Sequence, residues 1–321
     1  MNVLISSVGR RSQLVECFRR SLQAKGYSEG KVFGADLDPE MSPAAHLVDR
    51  CFSVPRCTDP NFISRVEEIC HANAIKLVVP TIDTELPFFA GAAPDLKRAG
   101  IHVVISSPQA IAIANDKQKT HDWLVASGLP TVRQTTLATA VADEEHWPLP
   151  LLAKPRLGSA SIGVTLVRDR AMLRSMSGDV IVQEVATGQE YTMNAFVRKG
   201  RCLAVVPHRR IEVRAGEVSK GRTERNEHLM NLTKRALETL PGAEGPITVQ
   251  AFVNGDRIQI IEVNARFGGG FPLAYEAGAD YPGWLLDEAT GKADAQPYDA
   301  WQDGLTMLRY DSAVFVQRSN S

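Results

Sequence analysis

The sequence predicts an α/β protein of more than one domain. Three observations carry that prediction. Short apolar runs alternate with helical patterns through residues 2–105, the signature of a parallel sheet covered on both faces. Strand-like runs then dominate residues 151–266, with one long helical pattern among them. The chain is 321 residues long, 44% apolar and 23% charged, enough for two or three ordinary domains with buried cores.

Taken in order, Asn2-Val3-Leu4-Ile5-Ser6-Ser7 is a strand that stops at Val8-Gly9-Arg10-Arg11. Leu14, Val15, Phe18 and Leu22 then recur at helix spacing up to Gly26. Lys31-Val32-Phe33-Gly34-Ala35-Asp36 is a second strand, and Arg65 to Cys70 belongs to a second helix. Leu77-Val78-Val79-Pro80 and His102-Val103-Val104-Ile105 are a third and fourth strand. In such sheets ligands sit at the strand ends. Arg10 follows the first strand, at a helix N-terminus suited to an anion, while Asp83 and Glu85 follow the third. These three are candidates for holding an acidic or zwitterionic substrate; capping and surface solvation are the competing readings.

A helix carrying Lys117, Thr120, Trp123 and Leu124 ends at Gly128-Leu129-Pro130. Leu151-Leu152-Ala153-Lys154-Pro155 is a strand ending in lysine, followed by a loop with Gly158, Ser159, Ser161 and Gly163 before a strand resumes at Val164. Free N–H groups and hydroxyls in such a loop suit phosphate, and Lys154 would add a point charge. An ordinary hairpin loop is the alternative. Val180 to Val185 and Gly188 to Val197 are further strands; backbone beside Glu184 could read an adenine edge, and a carboxylate such as Glu190 can accept from ribose hydroxyls.

The run from Arg257 to Arg266 bears a carboxylate, an amide and a guanidinium two residues apart. Alternation puts Glu262, Asn264 and Arg266 on one strand face. Carboxylate and amide oxygens are hard ligands for Mg²⁺, and a guanidinium suits a phosphoryl group in transfer. An edge strand with a solvated face fits poorly, because Ile260, Ile261 and Val263 imply burial. Ile247 to Val253 is the pairing strand and carries Gln250. Before it, residues 207–222 form a basic, glycine-broken stretch with Arg210 as its candidate, and residues 227–240 an amphipathic helix. A last strand is expected from Thr306 to Val316.

Composition narrows the classes. Formal net charge is −1, so no global field draws the chain to nucleic acid or an anionic membrane. Five scattered cysteines without a CxxC pair argue against zinc and a disulfide framework. With no leader-like start and no membrane-length apolar run, a cytoplasmic location is expected. The first turn is not GxGxxG, and the 158–163 loop is not a Walker A loop.

In chain order, Lys117, Lys154-Pro155 with its Gly/Ser loop, Gln183-Glu184-Val185, Gly188-Gln189-Glu190-Tyr191, Gln250 and Glu262-Val263-Asn264-Ala265-Arg266 resemble the ATP-grasp superfamily. The resemblance is to its stand-alone carbamoyl-phosphate-synthase-like ligases. It implies an α+β ATP-grasp fold with an N-terminal Rossmann-like parallel-sheet domain at 1–112, a lid at 113–184 and a C-terminal antiparallel-sheet domain at 185–321. It implies that Lys117, Lys154, Gly158, Ser159, Ser161 and Gly163 meet the ATP phosphates, that Gln183, Glu184 and Val185 line adenine, and that Glu190 meets ribose. Gln250, Glu262 and Asn264 would hold Mg²⁺ (Mn²⁺ as a substitute), with Arg266 and Arg210 catalytic. The implied reaction joins a small-molecule carboxylate to an amine through an acyl-phosphate. Two other readings remain: phosphorylation of bicarbonate or carbamate, and a nucleotide-binding module without catalysis. A homodimer is the default oligomer.

Overall fold

The computed structural model describes residues 1–158 and 162–317. The chain forms two compact units, Met1–Ile105 with Asp280–Gln296 and Met307–Ser321, and Ser106–Ala279 with Pro297–Thr306.

In the first unit the strands are β1 (Asn2–Ser6), β2 (Val32–Asp36), β3 (Arg50–Ser53), β4 (Ile75–Val79) and β5 (His102–Val103). They are all parallel, in the order β3-β2-β1-β4-β5. The sequence pattern had missed β3, a four-residue edge strand with one buried side chain, Phe52. Helices α1 (Ser12–Ala24), α2 (Phe62–Ala72) and α3 (Leu86–Arg98) bury their apolar stripes. Phe62 and Phe89 meet edge-on at 5.4 Å, within a core that includes Leu4, Val66, Ile69 and Val78. The strand order reverses between β1 and β4, and the turns after those two strands are tied together. Thr81 Oγ1 donates to the carbonyls of Ser6 and Ser7 (both 2.9 Å).

The second unit opens with two helices, α4 (Pro108–Ala114) and α5 (Lys117–Ala126), where the pattern predicted one. Asp116 separates them. Its side chain accepts from the N–H groups of Gln118 and Lys119, an N-cap that starts α5 at Lys117. A small antiparallel sheet, ordered β6-β9-β7-β8, follows. Its strands are β6 (Gln134–Thr136), β7 (Leu151–Pro155), β8 (Thr165–Val167) and β9 (Val180–Glu184). Helices α6 (Leu137–Ala142) and α7 (Arg170–Ser175) share its core with Trp147, Leu151 and Val182.

The larger sheet is antiparallel. It contains β10 (Gln189–Arg198), β11 (Arg201–Arg214), β12 (Glu217–Thr223), β13 (Gly245–Asn254) and β14 (Arg257–Asn264), in the order β14-β13-β10-β11-β12. The basic stretch is therefore two paired strands. Ala215 (φ +49°) and Gly216 (φ +79°) close their two-residue turn, the all-positive conformation that matches strand twist. Helix α8 (Glu227–Thr239) buries Leu229, Met230, Ala236 and Leu237. The short α9 (Phe271–Glu276) follows the glycines, and α10 (Tyr281–Ala289) lies in the first unit. The last strand, β15, covers only Thr306–Leu308, because Tyr310, Phe315 and Val316 are exposed and supply no buried face. No helix among the described residues is long and apolar enough to cross a membrane.

Candidate active site

The larger sheet presents one polar face, and its register explains why. His208 on β11 pairs with Thr192 on β10, Thr192 with Gln250 on β13, and Gln250 with Glu262 on β14. One row along, Asn194 pairs with Thr248 and Thr248 with Asn264. Directly paired residues share a face, so these seven side chains form two polar rows across the sheet. The residues between them, Met193, Val249 and Val263, are buried on the opposite face.

A bulge makes this possible. Gln250 pairs with Glu262 but Ala251 pairs with Ile260, so Ile261 is an extra residue. Strict alternation would put Ile260 on the same face as Glu262. The bulge turns Ile260 to the apolar side with Val263, and both are buried, while Glu262 and Asn264 stay on the polar side. The far edge of β14 is held by the 130–131 segment. Ile260 N donates to Pro130 O (3.0 Å), and Thr131 Oγ1 donates to Ile260 O (2.8 Å).

Four charged or polar side chains form a network on this face. Arg210 Nε lies 3.4 Å from Glu190 Oε2, and its side chain is 8% exposed. The hydrogen-bond partners orient the Gln250 amide so that its nitrogen donates to Glu262 Oε2 (2.7 Å) and its oxygen accepts from the Arg210 guanidinium. Gln250 was expected to ligate metal. Its oxygen accepts from Arg210, and the amide bridges that arginine to Glu262. Burial pushes the Glu190 carboxyl above its ordinary range; Arg210 opposes the shift and Glu262 adds to it.

Lys154, at the end of β7, is 7% exposed. Burial lowers its ammonium to about 8, opposed by Glu262 and reinforced by Lys117. Two cations thus lie close enough to repel each other, one of them largely dry. That arrangement suits a polyanion. Lys117 Nζ also donates to Gly158 O (2.6 Å). The backbone that presents Lys117 and Lys154 is clamped by a pair that sequence reasoning missed. Arg156 donates to both oxygens of Asp116 (2.8 and 2.7 Å), and Lys117 N donates to Arg156 O (3.1 Å). The legible signal was Asp116 at an N-cap position.

The loop glycines expected at phosphate, Gly158 and Gly163, both have positive φ (+102° and +75°). Ser159 and Ser161, expected there with them, lie outside the described residues. Gln183 is buried and donates to Gln134 Oε1 (2.5 Å), so its side chain secures β9 against β6. Glu184 pairs with Arg133 (2.9 Å), and Val185 is exposed just beyond the strand end.

Asn264 Oδ1 accepts from Arg266 (3.2 Å), which also donates to Phe267 O (3.2 Å). Asn264, Glu262 and Gln250 are thus neighbours, with Arg266 beside them. Among the described residues no group of three or more His, Cys, Asp or Glu forms a metal cage. A site with one carboxylate and an amide oxygen fits Mg²⁺, which completes its shell with water and phosphate oxygens.

The substrate candidates lie in the first unit. Arg10 is exposed and Asp83 half-buried. Glu85 is fully buried, and its oxygens accept from Ser6 Oγ (2.7 Å), Ser7 Oγ (2.8 Å), Thr81 N (2.7 Å) and Ile82 N (3.2 Å). Expected at the substrate, it braces the two turns in this structure. Burial raises its carboxyl against the four donors.

The class of protein follows from comparison with known proteins. Residues 114–270 match the family model described as ATP-grasp domain, and residues 3–104 match PylC-like, N-terminal domain. The chain therefore carries an ATP-grasp domain. A D-alanine–D-alanine ligase of Bacteroides fragilis is 27% identical over 189 residues, which are 50% of this chain and 57% of that protein. The chain therefore spans little more than half of that relative's length. The biotin carboxylase domain of Hydrogenobacter thermophilus 2-oxoglutarate carboxylase, solved with MgADP and bicarbonate, superposes with a TM-score of 0.75 at 14% identity. That match covers 95% of this chain and 73% of the other. An L-amino acid ligase from Bacillus licheniformis gives a TM-score of 0.70 at 20% identity, covering 95% and 78%.

Proposed function

We propose that this protein is an ADP-forming carboxylate–amine ligase that uses ATP and Mg²⁺ and acts on an amino acid or a similar small molecule. One observation carries the reading: the face on which Lys154, Glu190, Arg210, Gln250 and Glu262 converge, with Asn264 and Arg266 beside it. Similarity to a D-alanine–D-alanine ligase and an L-amino acid ligase supports the substrate class.

In this reading Lys117 and Lys154 hold the ATP phosphates, and Glu190 accepts from the ribose. Glu184 and Val185 offer backbone groups to adenine. Mg²⁺, when bound, polarises phosphate oxygens and offsets their charge. Glu262 and Asn264 would hold it, and Gln250 orients Glu262. ATP phosphorylates the substrate carboxylate, forming an acyl C–O–P linkage and releasing ADP. The amine then attacks the acyl carbon, phosphate leaves, and the amine proton is lost to solvent. Arg266 and Arg210 stabilise the charge that develops on the transferring group. Arg10 and Asp83 contact substrate, and Glu85 acts by holding their turns. The divisions 1–112, 113–184 and 185–321 serve as substrate domain, lid and nucleotide domain.

The test is nucleotide product analysis with Mg²⁺-ATP and pooled amino acids, with bicarbonate, and with neither. ADP and phosphate should appear with the amino acids. ADP dependent on bicarbonate would replace the amine ligase with a carboxyl-phosphate-forming enzyme, and AMP with pyrophosphate would refute the reaction class. Glu262→Ala should lower turnover at least about a hundredfold while the protein still folds.

A further inference from the structure

The stretch after Arg266 is seated in an unusual way. Gly268, Gly269 and Gly270 each press against a polar side chain from a different strand. A Cβ on Gly268 would lie 2.6 Å from Thr248 Oγ1, on β13. On Gly269 it would lie 2.6 Å from Glu217 Cδ and Oε1 and 2.7 Å from Oε2, at the start of β12. On Gly270 it would lie 2.8 Å from Cε1 and Nε2 of His208, a fully buried ring on β11. A Cβ at any of the three would force a neighbour to shift, at Gly269 the Glu217 carboxylate itself. Buried Phe267 and Phe271 anchor the two ends, their rings edge-on at 4.6 Å. Thr248 Oγ1 donates to Arg266 O (3.1 Å), so the seat continues directly into the arginine's own backbone.

Glu217 stands out among the three. It is half-buried at the tip of the β11–β12 hairpin, immediately after Gly216. The carbonyl of Gly216 accepts from Arg210 Nη2 (3.0 Å). One hairpin tip therefore touches Arg210 through Gly216 and the loop that follows Arg266 through Glu217.

We propose that Glu217 is a positioning residue: its carboxylate, packed against Gly269, sets the turn that aims Arg266, while the adjoining Gly216 carbonyl restrains Arg210. The proposal rests on the reading of Arg266 as the group that steadies the acyl-phosphate. It adds that one β-hairpin holds both arginines in register. A displacement of about 1 Å at such a group costs on the order of a hundredfold in rate, so a half-buried carboxylate outside the reacting centre governs turnover.

The experiment uses the whole chain with Glu217→Ala, Glu217→Gln, Gly269→Ala and Arg266→Ala. Hydrogen–deuterium exchange is followed in the peptide spanning residues 264–275, alongside kcat and KM for ADP formation and ADP affinity by titration. Glu217→Ala should speed exchange in that peptide about tenfold and lower kcat about ten- to a hundredfold. ADP affinity should stay within about twofold of wild type. Glu217→Gln, which keeps the shape, should restore most of both, and Gly269→Ala, which displaces the carboxylate, should behave like Glu217→Ala. Unchanged exchange in Glu217→Ala would overturn the seat. A loss of kcat with unchanged exchange would also overturn it, because Glu217 would then meet substrate itself. Faster exchange with full turnover in both Glu217→Ala and Arg266→Ala would leave the seat standing and refute the reading of Arg266.

Discussion

Replacing Lys154 with methionine should make the nucleotide-free protein more stable while disabling it. The ammonium is 7% exposed, and burial lowers it from an ordinary 10.5 to about 8. At about 1.4 kcal/mol per unit, holding that proton at neutral pH costs the native state on the order of 3 kcal/mol. Glu262 already offsets part of the desolvation, and its help is contained in that figure. Methionine has a similar length and no charge to desolvate, so Lys154→Met should gain about 1–3 kcal/mol at pH 7. The sign follows from proton counts. Between about pH 8 and 10.5 the unfolded chain holds the lysine proton and the native state has lost it, so wild-type stability rises with pH in that window. Below pH 8 the cost is fully present. Urea unfolding of both proteins without nucleotide, at pH 7 and pH 9.5, measures this. The variant's advantage should be large at pH 7 and shrink at pH 9.5. A lower midpoint for Lys154→Met at pH 7, or pH profiles that run parallel, would refute the picture of a dry, poorly compensated cation. On the proposed function, ADP should also bind the variant more weakly.

Two further outcomes follow from contacts near the site. Asp116→Asn keeps a capping oxygen but removes the two-bond pairing with Arg156, and should cost about 1–2 kcal/mol in urea unfolding at pH 7. Burial opposes ionisation of Asp116, but Arg156 and the N–H groups of α5 outweigh it and hold the carboxyl below its ordinary value. Its contribution is therefore present above the unfolded carboxylate range and fades as pH falls through the folded value, so the two proteins should converge in acid. Gly270→Ala places a methyl 2.8 Å from the buried His208 ring and 2.9 Å from Val218, neither of which can swing away. It should lower stability by about 1–3 kcal/mol in thermal unfolding.

Much of this was legible because it is written in local periodicity. The helix spacing of Leu14, Val15, Phe18 and Leu22 became α1, and the amphipathic pattern at 227–240 became α8. The alternation of Glu262 and Asn264 placed them on one face, since both lie downstream of the bulge. The second helix before Lys117 was encoded in Asp116, a capping residue at the right offset, and passed unread as part of one longer pattern. The β11–β12 pair hid behind its charges. Arg209, Arg210 and Arg214 suggest a solvated run, yet Arg210 is nearly buried because Glu190 and Gln250 receive it.

By itself, then, the sequence determined the order of the chemical groups, the class of each main element and the family that order resembles. Tertiary structure decided which face Ile260 takes, where the Gln250 oxygen points, that Glu85 braces two turns, and that Glu217 meets Gly269. The physical reason is the range of the interactions. Helix and strand periods are set by neighbours a few residues apart and can be read along the chain. Register, burial and hydrogen-bond satisfaction depend on partners such as Gln250 and Arg210, or Glu217 and Gly269, which only folding brings together.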